Sequence, residues 1–211
     1  VDLFTPGRLF GRGATRNPIA VSYWQQYLLL VNFPNRGKKS TQAVARLIEE
    51  SHGPIDYLRL VKLIYLADRE SIIRRGVPIV GGHYHSMKKG PTVSEIMNFV
   101  GTRTAPDWKK TISPRHGAKL SLLCDWPDYG ALSDAEIELL DHTVGAHRSR
   151  TTEELVEWCH ENCSEYEEVP SGRRKPIAVE AILKAAGKTR KQIEKVIQDA
   201  NEIEEMDELL A

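Results

Sequence analysis

Cysteine is scarce in this chain: three residues in 211, an odd number with no framework spacing. That excludes a disulfide-stapled secreted scaffold and points to reduced thiols and a cytoplasmic protein. Net charge is absent as well. The 29 Lys and Arg balance 29 Asp and Glu, which removes the bulk electrostatic case for nucleic acid or an anionic membrane. Long hydrophobic runs are missing. The longest, 19–33, is broken by Ser22, Gln25, Gln26 and Asn32 and precedes no small-residue cleavage site, so it is neither a bilayer span nor a secretory signal. Neither G-x-x-x-x-G-K nor G-x-S-x-G occurs, which removes two common routes to phosphate binding and serine hydrolysis. What is present is globular composition, 41% hydrophobic and 27% charged, in a chain long enough to bury a real core.

Charge is uneven along the chain. Residues 1–40 carry six bases against Asp2, whereas residues 189–211 carry seven acids against three bases. The first 39 residues, punctuated by Pro6, Gly7, Gly11, Gly13 and Pro18, read as a poorly ordered basic leader or a start placed too far upstream. The stretch 19–33 within it could add one packed helix. A basic arm touching nucleic acid is the rival reading, and it lacks a folded footprint. Residues 40–211 read as a single helical domain.

Regular signals begin there. A helix is expected over 41–51, ended by Gly53 and Pro54. Asp56 then reads as the N-cap of a long helix running to Arg75, with Gly76 as its left-handed stop. That helix is apolar over most of its circumference, with Arg59, Lys62 and Arg69 on one narrow polar stripe. Such a helix belongs at the centre of a bundle. Residues 83–87 read as a short extended segment that Lys88-Lys89-Gly90-Pro91 breaks, and Thr92 with Glu95 reads as a capping box for a helix over 93–100. Two strands, 108–113 and 118–124, are expected to join 83–87 in a small antiparallel sheet. Capping boxes at Ser133/Glu136 and Thr151/Glu154 open helices over 134–147 and 152–162. Pro176 reads as the first residue of a helix that Gly187 ends. Thr189 with Gln192 opens an amphipathic C-terminal helix with Ile193, Val196, Ile197, Ala200, Ile203 and Leu210 on one stripe. The expected fold is mainly α: a compact helical domain around a central apolar helix, with a small antiparallel β-sheet.

The residues from Lys62-Leu63-Ile64-Tyr65-Leu66-Ala67-Asp68-Arg69-Glu70 through Pro78, Gly81, Tyr84, Met87, Gly90-Pro91 and Val93-Ser94-Glu95 resemble the Panacea domain family, the SocA-like antitoxins. The similarity continues in Leu132 to Asp141, in Leu155 to Glu161 with Cys159 where the family has Thr, and in Pro176 to Gly187. It covers about residues 41–195. The resemblance implies a bacterial or prophage antitoxin that neutralises a toxin encoded beside it, usually by direct protein binding. In one branch the antitoxin instead delivers its toxin to a protease as an adaptor. Some members add a DNA-binding domain; the leader here has no helix-turn-helix pattern.

At helical spacing Asp68 shares a face with Val61, Ile64, Tyr65 and Ile72, so its carboxylate needs a partner. The Gly81–Gly82 amides, the Tyr84 hydroxyl or a base would serve. Asp68 and Tyr65 are therefore read as structural polar anchors rather than as an acid–base pair, since catalysis needs a second convergent group. His83 and His85 have the spacing of two ligands on one strand face, and Cys159 and Cys163 could add thiolates on a helix. The favoured reading is surface histidines and core cysteines. A small metal-dependent hydrolase using His83, His85 and Asp68 is the alternative from the enzyme class. Lys88-Lys89-Gly90-Pro91 reads first as a solvated turn, with the holding of an anion such as a phosphate or a toxin carboxylate at the following helix N-terminus as the alternative, and Arg173-Arg174-Lys175 reads as a solvated linker.

The reading therefore expects no catalytic residue, cofactor or metal. It expects a surface for the toxin formed by His83, Tyr84, His85, Lys88, Lys89, Gly90, Pro91 and Glu95. A stable complex of this kind buries about 1,200–2,000 Å².

Overall fold

The computed structural model describes residues 33–210 except Trp126, with the backbone alone for 203–210. The expectations for residues 1–32, for the Ile203 and Leu210 side chains and for Ala211 lie outside the described residues. Within them the chain is mainly α, with eight helices and five short strands. No helix among the described residues is long and apolar enough to cross a membrane.

The centre is α2 (Tyr57–Arg75), whose residues Leu60 to Asp68 are buried without interruption. Burial through nine consecutive positions requires neighbours on every side, and they are there. Helix α2 packs on α1 (Gly37–Glu50), α3 (Ser94–Thr102), α5 (Asp134–His147), α6 (Thr152–Asn162) and α7 (Val179–Ala185), and on the strands β1 (Ile55–Asp56) and β3 (Gly90–Val93). Each fully buried Leu or Ile contributes ~1.5–3 kcal/mol. Its ends follow the sequence signals. Asp56 accepts from the Leu58 amide at 2.8 Å, and Gly76 closes the helix at φ 79°. The boxes at Ser133/Glu136 and Thr151/Glu154 cap α5 and α6 as expected.

The polar stripe of α2 is a set of ties. Arg59 donates to the carbonyls of His147 and Arg150 at 2.7 and 2.6 Å. Lys62 donates to the Pro91 carbonyl at 2.6 Å, and Arg69 pairs with Glu165 at 2.7 Å. Each joins the hub to a later part of the chain. Further long ties run from α1, where Arg46 grips Asp141 and Lys39 pairs with the buried Glu136.

Several local expectations change. Helix α1 begins at Gly37, four residues before the expected start, and Phe33 is buried. Residues 108–111 form a short helix, α4 (Trp108–Thr111), instead of a strand, and Trp108 is wholly buried in it. Strand β4 (Lys119–Leu120) pairs with β1 and not with 83–87. Thr92 is not an N-cap: it is buried in β3, Val93 occupies the cap position, and Glu95 bonds elsewhere. Pro176 ends a strand, β5 (Arg174–Pro176), and α7 starts only at Val179. Strands β2 (Tyr84–Met87), β3 and β5 form one antiparallel sheet in the order β3-β2-β5. Helix α8 (Arg190–Leu210) follows α7 and buries Ile193, Ile197 and Ala200.

Candidate functional site

The site is built on Asp68. Helix α2 aims this fully buried carboxylate at the segment 77–82, whose backbone turns to meet it. Ile79 and Val80 donate their amides to Oδ1 at 2.9 Å each. Gly81 donates to Oδ2 at 3.1 Å, and the Tyr84 hydroxyl donates to Oδ2 at 2.9 Å. Burial pushes the Asp68 carboxyl up to about 6, while the four donors pull it down. The carbonyls of the same segment face outward to α1's approach. Asn35 Nδ2 donates to the Val80 and Gly81 oxygens at 3.2 and 3.1 Å, and the Arg36 amide donates to Val80 at 2.9 Å.

Two glycines are obligatory here. Gly81 sits at φ 66°, and a Cβ on it would lie 2.7 Å from the Pro34 carbonyl oxygen. Gly82 sits at φ 108°, and a Cβ there would lie 2.3 Å from Glu95 Oε2. The Gly82 amide, read from the sequence as a partner for Asp68, donates instead to the Phe33 carbonyl at 2.8 Å.

From this collar the chain enters the β2–β3 hairpin, with Tyr84 opposite Val93 and Met87 opposite Gly90. Lys88 and Lys89 form its exposed turn. The first turn of α3 holds the hairpin's base. Glu95 accepts the His83 amide at 2.8 Å and meets the His83 ring at 2.6 Å, while Ser94 Oγ lies 2.8 Å from His85 Nδ1. Desolvation lowers the His85 pKa. The two imidazole rings stand 6.5 Å apart on one side of the strand. Lys62 reaches up from α2 to Pro91, and burial pushes its ammonium down to about 8. Beside it, Gly90 lies under the His160 ring, which stacks on Tyr166 at 4.6 Å.

The residues named from sequence thus divide. His83, Lys88 and Lys89 are exposed, and His85 and Glu95 are half-buried. Tyr84, Gly90 and Pro91 are buried, which corrects the expectation that they line a surface: they shape the hairpin from within. Tyr84 in particular spends its hydroxyl on Asp68. Tyr65 donates to Glu165 at 2.6 Å and meets Tyr84 edge-to-face, with ring centroids 6.0 Å apart. Glu165 was missed. It lies in a loop with no periodicity, so no local signal marked it.

Cys159 and Cys163 are free, buried thiols, and a hydrogen bond between them, with burial, holds the Cys163 thiol above its ordinary range. No group of three or more His, Cys, Asp or Glu among the described residues could hold a metal ion. A cleft of about 250 Å³ includes Lys38, Gln42, Asp107, Lys110 and Asp128 and none of the residues named from sequence. Its lysines face its own aspartates, Lys38 to Asp128 at 3.9 Å and Lys110 to Asp107 at 3.4 Å.

Comparison with curated proteins gives no match, and neither does comparison with solved structures. The sequence model described as antitoxin SocA-like, Panacea domain, matches residues 60–165, half of the chain. That span runs from the hub helix through the Asp68 collar, the hairpin and α5 and α6 to Glu165. The chain belongs to the SocA-like antitoxin family, as a Panacea domain protein.

Proposed function

We propose that this protein is a cytoplasmic antitoxin that neutralises a toxin encoded beside it by masking it in a stable protein–protein complex. The observation that carries the reading is family membership over the span that contains the hairpin. The physical support is preorganisation. The β2–β3 hairpin projects His83, Lys88 and Lys89 from a base fixed by Asp68, Lys62 and Glu95, so few groups must be ordered when a partner docks. The contact surface in this proposal is the exposed part of 83–89 with the first turn of α3.

Co-expression of the full chain with the adjacent gene tests it. The expected outcome is that growth is rescued, the partner's level is unchanged, and the two proteins purify as one complex. Rescue with a falling partner level would replace masking with delivery to a protease. A neighbour that is harmless alone and does not co-purify would end the antitoxin reading.

A further inference from the structure

The two basic runs, Lys88-Lys89 and Arg173-Arg174-Lys175, lie far apart in the chain and meet in the fold. Strand β2 pairs with β3 on one side and β5 on the other, so Met87 faces both Gly90 and Arg174. The hairpin turn at 88–89 therefore sits beside the Arg173–Arg174 end of β5, at a strand spacing of about 5 Å. All five side chains are exposed. Lys175 pairs with Glu167, whereas Lys88, Lys89, Arg173 and Arg174 have no ion-pair partner among the described residues. Four uncompensated cations at one sheet end repel one another, and an anionic partner relieves that repulsion.

The backbone argues against a different use of this edge. The Ile177 amide donates to the Tyr84 carbonyl, which makes 84 and 177 a hydrogen-bonded pair and, by alternation, 86 and 175 the next. Residues 174 and 176 thus turn their main-chain groups to the open side. Position 176 is proline and has no N–H, so Arg174 alone offers a donor there. A strand added to this edge would find a poor ladder. Recognition falls to the side-chain charges.

We propose that the Lys88-Lys89 turn and the Arg173–Lys175 strand form one basic docking surface that receives a carboxylate-rich segment of the toxin. This rests on the antitoxin reading and adds the chemistry of the partner. Protein carboxylates fit better than a nucleic-acid backbone. A phosphate track uses about 6–10 contacts in a strong binder. Here only four exposed cations lack an ion-pair partner among the described residues, fewer than such a track uses.

The test measures affinity of the full chain for the protein of the adjacent gene at low and high salt. Three double variants are compared: Lys88→Glu/Lys89→Glu, Arg173→Glu/Arg174→Glu, and, as a control from exposed bases elsewhere, Lys109→Glu/Lys119→Glu. The expected result is at least a tenfold loss for each of the first two, mainly through slower association, a flattened salt dependence, and no change for the control. Unchanged thermal melting of each variant shows that the fold is kept, as exposed sites allow. Full affinity in the Arg173→Glu/Arg174→Glu variant overturns the joined surface while leaving the antitoxin reading in place. Wild-type protein that does not bind the neighbour overturns both. A DNA or RNA duplex retarded by wild type and released by the Arg173→Glu/Arg174→Glu variant would assign the surface to phosphate and overturn the proposal.

Discussion

Asp68 shows how far a single residue can be read. A carboxylate on the apolar face of a central helix demands donors, and the sequence placed Gly81 and Tyr84 within a short loop of it. Both donate to it in the structure, with Ile79 and Val80. Tyr84→Phe removes one hydrogen bond to a charged group while leaving the ring in place. The expected loss is ~1.5–3 kcal/mol, read from the urea midpoint at an unchanged m-value. A loss below ~0.5 kcal/mol would mean that the three amides alone satisfy the carboxylate. Tyr65 could not be read the same way. Its partner Glu165 lies 100 positions away in a loop, and no local pattern connects the two.

Among the elements, those with local signals were legible and those held by distant pairing were not. Asp56, Gly76 and the boxes at 133/136 and 151/154 bound α2, α5 and α6 where the sequence put them. The strands depend on partners elsewhere in the chain. Residues 173–175 read as a linker and Pro176 as a helix start because a basic run before a proline carries no strand pattern, and only β2 makes 174–176 a strand. Thr92 and Glu95 had the spacing of a capping box, yet tertiary contacts won: His83 takes the Glu95 carboxylate and the hairpin buries Thr92. The stripe on α2 carries an element-scale prediction. Arg69→Met leaves the buried Glu165 carboxylate with the Tyr65 hydroxyl alone, and a loss of ~3–5 kcal/mol is expected. Adding Glu165→Gln should recover a large part of it, and a double-mutant cycle from urea titrations measures the coupling. Additive single effects would mean that the pair is not coupled.

For the whole molecule, two buried groups set opposing responses to acid. The Asp68 carboxyl is held at about 6 by burial, above the ~3.9 of an unfolded chain. Its contribution to stability is full below ~3.9 and is lost as pH rises through about 6. His147 is the reverse. Burial, with Arg150, Arg59 and His142 nearby, lowers its pKa to about 4, against ~6.5 unfolded. That contribution is full above ~6.5 and is lost as pH falls through about 4. Each separation of roughly two pH units corresponds to ~3 kcal/mol, so between pH 6.5 and 4 the two largely offset. Removing either exposes the other. Asp68→Asn should make stability fall more steeply than wild type as pH drops across this window. His147→Asn, which deletes the ring packed edge-on against Trp158, should make it fall less steeply or rise, even though the variant is less stable at pH 7. Urea titrations at pH 4.5, 5.5 and 6.5 give the slopes. Parallel curves for wild type and both variants would show that neither group changes its protonation on folding.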